Sequence, residues 1–134
     1  MAISTVIISA ATAAHAGAKP RILLVEDEPL VGMLLDEDLG ELGFAVVGPV
    51  ADVVSAVDVA GRAEFEAAII DLRLGQANAY PVAETLAARG IPFALTSGLP
   101  HSAIEARFAE RPYLAKPYAI DDLRRVVVAL VSDK

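Results

Sequence analysis

A chain of 134 residues is long enough for one domain with a true core and short for two. An apolar fraction of 55% with only 5% aromatic residues and no Trp describes an aliphatic interior that gives single-stranded nucleic acid little to stack on. The net charge of −7 repels a phosphate backbone, and the lack of cysteine removes disulfides, thiolate catalysis and Cys-based metal centres while agreeing with a cytoplasmic location.

Residues 1–20 are set apart from the fold as a flexible N-terminal extension. Val6-Ile7-Ile8 followed by Ala14-His15-Ala16 imitates a secretory signal, but no Lys or Arg precedes the apolar part, and Ser9 and Thr12 interrupt it. That part is also too short to span a bilayer, so no membrane association is expected. Over residues 21–134, short apolar runs alternate with segments of helical period, the pattern of βα units and a parallel sheet.

The first run, Ile22-Leu23-Leu24-Val25, ends on Glu26-Asp27. A helix from Pro29 to Gly43 follows, with Leu30, Val31, Leu34, Leu35, Leu39 and Leu42 at helical spacing and Met33 expected in the core. Phe44-Ala45-Val46-Val47 reads as a second strand closed by Gly48-Pro49, before a helix across Asp52 to Gly61. The third strand, Ala67-Ala68-Ile69-Ile70, ends on Asp71, and a polar-tipped loop from Leu72 to Tyr80 leads to a helix from Pro81 to Arg89. Ile91 to Thr96 makes the fourth strand, Ser102 to Glu110 the fourth helix, and Tyr113-Leu114-Ala115 the fifth strand, ending on Lys116. Ile120, Leu123, Val127 and Leu130 mark the inner face of a last helix, with no linker or low-complexity stretch to attach an output domain.

In a parallel sheet the strand ends share one edge, where open α/β folds bind ligands. Glu26, Asp27, Asp71, Thr96 and Lys116 would therefore meet in one pocket. Close carboxylates repel one another and either take up a proton or hold a cation, and Mg2+ suits an incomplete cage of oxygen ligands. An aspartate beside such an ion can attack phosphorus, so Asp71, alone at its strand end, is the candidate nucleophile. Lys116 and the Thr96 hydroxyl would hold further phosphoryl oxygens. Taken singly, each of these residues reads as a solvated or capping group; the combination carries the inference.

Ile22 to Pro29 (ILLVEDEP), Ile69 to Leu72 (IIDL), Ala94 to Gly98 (ALTSG) and Tyr113 to Pro117 (YLAKP) resemble the receiver domain of two-component response regulators, and the resemblance covers residues 21–131. It implies a flavodoxin-like α/β fold of five parallel strands and five flanking helices. It implies further that Asp71 accepts a phosphoryl group from a sensor histidine kinase, that Asp27 ligates Mg2+ directly with Glu26 acting through water, and that the Arg73 backbone carbonyl completes the site. Thr96 and Lys116 match the phosphoryl-sensing pair, Lys116-Pro117 the family's cis peptide, and Tyr113 an aromatic switch that follows Thr96. After Asp71 the family often has a Met-Pro turn and a later Gly, where this chain has Leu74-Gly75 and Ala79.

The implied function is a single-domain response regulator, not an enzyme beyond self-phosphorylation and self-dephosphorylation, whose output is a protein contact. A downstream target, a histidine phosphotransfer protein in a relay, a phosphate sink and a phosphorylation-dependent homodimer are all compatible with it; direct nucleic-acid binding is not expected. A hydrolase with an aspartyl-phosphate intermediate is the rival of another class, but such enzymes usually carry a second acid where Arg73 stands. His15 and His101 lack ligand-spaced partners and read as surface residues, Tyr118 reads as packing, and Arg107, Arg111, Arg124 and Arg125 fall on the segment that would carry the output face.

Overall fold

The computed structural model describes residues 18–132, so the extension expected over residues 1–20, with His15, lies almost entirely outside the described residues. Pro20 is already tied in, its carbonyl accepting the N–H of Ala45. The elements in chain order are β1 (Arg21–Val25), α1 (Pro29–Glu41), β2 (Ala45–Val50), α2 (Val53–Arg62), β3 (Ala67–Asp71), β4 (Arg73–Leu74), β5 (Ala77–Asn78), α3 (Tyr80–Arg89), β6 (Phe93–Ser97), β7 (Tyr113–Ala115) and α4 (Ile120–Ser132). Five of the strands form one parallel sheet in the order β2-β1-β3-β6-β7, the flavodoxin-like arrangement expected.

The alternation of side chains along a strand explains both layers. Leu23, Val25, Ala68, Ile70, Phe93 and Leu95 point to one face, where Ala56 and Ala60 of α2 and Val82 and Leu86 of α3 cover them. Ile22, Leu24, Ala67, Ile69 and Ala94 point to the other, under Leu35 and Leu39 of α1 and Leu123, Val127 and Leu130 of α4. Strands covered on both faces have no polar alternation, which is why β1, β3 and β6 read as unbroken apolar runs. Each buried Leu or Ile here contributes roughly 1.5–3 kcal/mol.

Four elements depart from the sequence reading. The second strand is not closed at Gly48-Pro49 but runs on to Val50, with a register shift opposite β1. It is an edge strand, where a proline costs no ladder bond, and Gly48 takes φ +110 with Leu24 O only 2.7 Å from where a Cβ would stand. The loop after Asp71 is a small antiparallel hairpin, β4 with β5, turning at Gly75 with φ +63.

The fourth helix expected over Ser102 to Glu110 is replaced by two 3-10 turns, His101–Ala103 and Ala106–Phe108, leaving four α-helices among the described residues. Only Ile104 and Phe108 of this stretch are buried, and Ile104, with φ −79 and ψ 138, is extended. The Glu105 N–H donates to the Tyr80 hydroxyl at 3.0 Å instead of closing a helical turn, and so short a helix with two anchors cannot offset its nucleation cost.

Met33 is not core: it is 52% exposed, beside exposed Leu30 and Leu34. The sheet-facing side of α1 is Gly32, Leu35 and Leu39, with Gly32 against Pro49. Since the first two turns of α1, Leu30 to Leu35, are apolar nearly all round, their period alone did not select the inner face. Among the described residues no helix is long and apolar enough to cross a membrane.

Candidate functional site

The carboxyl ends of β1, β3 and β7 bring Glu26, Asp27, Asp71 and Lys116 together. Register alone aligns them: Val25 pairs with Ile70 and Asp71 with Thr96, so the residues following each apolar run leave the sheet side by side. Carboxylate oxygens of Glu26, Asp27 and Asp71 all lie within 4.8 Å of one another. Lys116 reaches across from β7, its Nζ 2.8 Å from Asp71 Oδ2 and 3.1 Å from Glu26 Oε1. The Lys116-Pro117 peptide is cis, as expected; so is Gly48-Pro49.

Backbone donors hold one oxygen of each carboxylate. The N–H of Arg73 donates to Asp71 Oδ1 at 3.0 Å, that of Glu28 to Glu26 Oε2 at 3.2 Å, and that of Gly75, at the hairpin tip, to Asp27 Oδ2 at 2.7 Å. The sequence reading names Gly75 only as a departure from the family's Met-Pro turn and does not foresee its bond to Asp27.

Among the described residues Lys116 is the one cation paired with this cluster of three carboxylates. Burial, and then the neighbouring Asp71 charge, push the Glu26 carboxyl above its ordinary pKa despite the bonds from Glu28 and Lys116. For Lys116, burial alone would depress the pKa, but the bonds to Asp71 and Glu26 outweigh it and hold the ammonium above the usual lysine value. The cluster therefore retains uncompensated negative charge on oxygen atoms alone, a donor set that fits a hard divalent cation.

Above these groups lies an open cleft of about 380 Å³ lined by Asp27, Asp71, Arg73, Gly75, Ser97 and Lys116 together with Glu28, Gly98 and Leu99. Thr96 is beside Asp71 in the sheet and buried, but the β6 residue that lines the cleft is Ser97. Ser97 was missed in the sequence, where its hydroxyl stood in the shadow of Thr96. Tyr113 lies outside the cleft, its hydroxyl donating to the carbonyls of Leu99 and, at 3.3 Å, Ser97. His101 stands edge-on to the Tyr113 ring at 5.4 Å and bonds the Ala109 carbonyl through Nε2 at 2.8 Å, so this surface histidine is ordered by its surroundings.

No family model matches the chain. It is 40% identical to SdrG from Sphingomonas melonis Fr1, whose solution structure superposes with a TM-score of 0.73 over 84% of this chain and 96% of that one. It is 28% identical to the receiver domain of the sensor histidine kinase PA1611 from Pseudomonas aeruginosa PAO1, a crystal structure with a magnesium ion in its active-site cleft; the TM-score is 0.70, over 87% of this chain and all of that one. The transcriptional regulatory protein PdtaR of Mycobacterium tuberculosis is 30% identical over 125 residues, 90% of this chain, and the match spans only 61% of that longer protein.

Proposed function

Because the chain belongs to the receiver-domain family of two-component response regulators, we propose that it accepts a phosphoryl group on Asp71 from a histidine kinase and changes its protein contacts in response. The observation that carries this reading is Asp71 held at the floor of the cleft between a backbone N–H and Lys116, with two further carboxylates beside it. An Asp71 oxygen attacks phosphorus, the P–N bond of a phosphohistidine breaks, and the imidazole departs with the nitrogen's electron pair. Glu26, Asp27, Asp71 and the Arg73 carbonyl would hold Mg2+, which when bound neutralises phosphoryl oxygens.

Lys116 is already poised on Asp71 Oδ2 and would shift its bond to a phosphoryl oxygen, while the hydroxyl of Ser97, which lines the cleft where the expected Thr96 does not, would take another. Tyr113 would report the change, being bonded to the turn that follows β6. The reading includes a cytoplasmic location, where a kinase phosphohistidine is met. It leaves the contact open among a target protein, a phosphotransfer protein, a second copy or a phosphate sink.

Incubation with Mg2+ and a small phosphodonor, followed by intact mass, tests the reading. We expect one added phosphoryl group on the protein, none with EDTA and none on Asp71→Asn; an adduct that survives Asp71→Asn removes Asp71 from the role. Turnover of a generic phosphate monoester would instead favour the hydrolase.

A further inference from the structure

Two of the three carboxylates at the sheet edge have both oxygens engaged. Asp71 takes the Arg73 N–H on Oδ1 and Lys116 on Oδ2, and Glu26 takes Lys116 on Oε1 and the Glu28 N–H on Oε2. Asp27 differs. Its Oδ2 accepts the Gly75 N–H at 2.7 Å, while its Oδ1 has no hydrogen-bond partner among the described residues. Asp27 Oδ1 is therefore the carboxylate oxygen of this cluster that a cation can take without displacing a bond.

The donor lies 48 residues away in the chain, at the tip of the β4-β5 hairpin. The base of that hairpin is fixed: Leu72, Leu74 and Ala79 are buried in the core, the Ala79 N–H donates to the Leu72 carbonyl at 2.9 Å, and Arg73 pairs with Asn78 and Leu74 with Ala77. The tip from Gly75 to Asn78 is exposed, and its bond to Asp27 ties it to the end of β1. Gly75 sits at φ +63, a left-handed backbone that glycine adopts without strain. It stands where the related receivers often have the proline of a Met-Pro turn, and a proline has no N–H to give.

Resting on the assignment of Mg2+ to Glu26, Asp27 and Asp71, we propose that the hairpin is a positioning element for the ion: the Gly75 N–H holds Asp27 Oδ2, leaves Oδ1 to the metal, and keeps its bond when the metal is bound. A hydrogen bond to the second oxygen fixes the carboxylate before ligation and removes rotamer freedom that binding would otherwise have to freeze. Orientation matters for Mg2+ in particular, which demands near-octahedral geometry. A hairpin that instead competed with the ion for Asp27 would open as the ion entered, so the two roles move the Gly75 N–H in opposite directions.

The test follows amide hydrogen exchange at Gly75 in the 15N-labelled whole chain, its signal assigned with Gly75→Asn, beside Mg2+ affinity measured by calorimetry. In the original protein this N–H should exchange about tenfold more slowly than in Asp27→Ala, and no faster when Mg2+ is saturating. Gly75→Asn tolerates the left-handed backbone and keeps the N–H, so it should bind Mg2+ about as tightly as the original protein; Gly75→Pro, without the donor, should bind it about tenfold more weakly. Faster exchange in saturating Mg2+ overturns the positioning role, because the ion then takes Asp27 from the hairpin. Equal Mg2+ affinity in the original protein and both variants overturns it too, as does an equal loss in Gly75→Asn and Gly75→Pro. Should Gly75→Pro fail to fold, the exchange comparison in the original protein decides alone. An original protein that binds no Mg2+ overturns the metal assignment itself.

Discussion

The acid-lined edge of the sheet and the segment between β6 and β7 are neighbours built on opposite plans. At the edge, the chemistry is set by strands buried on both faces, and each carboxylate keeps an oxygen on a backbone N–H. The segment from Gly98 to Pro112 has only Ile104 and Phe108 buried and is held chiefly through side chains: Tyr80 to Glu105, His101 to Ala109, and Arg107 to Glu84 at 2.7 Å. Arg111 lies over the Phe93 ring at 4.2 Å in the same manner. A site that must hold reacting groups in place is carried by the sheet, whereas the neighbouring segment hangs on contacts that can be exchanged singly.

The sharpest way to break this comparison is Phe108→Ala. Phe108 stacks on Tyr80 at 5.8 Å and meets Phe93 edge-on, so its removal should cost about 3 kcal/mol in a urea melt. Mg2+ affinity should stay near that of the original protein. A large loss of Mg2+ affinity would mean that the acid edge depends on the segment beside it.

Lys116→Met tests the other region. It leaves Glu26 and Asp71 buried without their cation, and because Lys116 is 23% exposed the expected cost is about 2 kcal/mol, below that of a fully buried pair. The loss should be largest in EDTA and shrink as Mg2+ is added; equal losses in both would argue that no ion shares the charge of this cluster.

The smallest effect is at Tyr118, which packs against the α1 and α4 side of the sheet. Burial pushes its phenol from the ordinary 10.0 up to about 12. The folded state therefore binds this proton more tightly than the unfolded state. The contribution is complete below pH 10 and is lost as the pH rises toward 12. In an ultraviolet titration of tyrosine ionisation, Tyr118→Phe should delete a step near the top of that range and flatten the alkaline loss of stability. A step left unchanged would place the late titration on another phenol.

Most of the acid edge was legible in the residues themselves. Four apolar runs ending in Glu26-Asp27, Asp71, Thr96 and Lys116 need only be parallel for their ends to meet, and apolar runs covered on both faces belong to parallel sheets. The structure brings Glu26, Asp27, Asp71 and Lys116 into contact but leaves Thr96 behind the wall of the cleft that Ser97 forms. Whether Thr96 or Ser97 faces Tyr113 turns on a one-residue parity, which follows from the pairing of β6 with β7.

The sequence by itself determined the five sheet strands, the helices α1 to α4 between and after them, and the residues at the strand ends, because these follow from local periodicity and from the connections a parallel sheet allows. Tertiary structure alone decided three things. It chose the inner face of α1, since Leu30, Met33 and Leu34 are as apolar as the residues that were buried in their place. It turned the stretch from Ser102 to Glu110 into 3-10 turns, since the Tyr80 hydroxyl takes the Glu105 N–H. It also closed the hairpin tip onto Asp27, since Gly75 can donate its N–H only once β1 and β3 lie side by side. In each case the deciding partner is distant in the chain or on another element, where no local pattern carries its position.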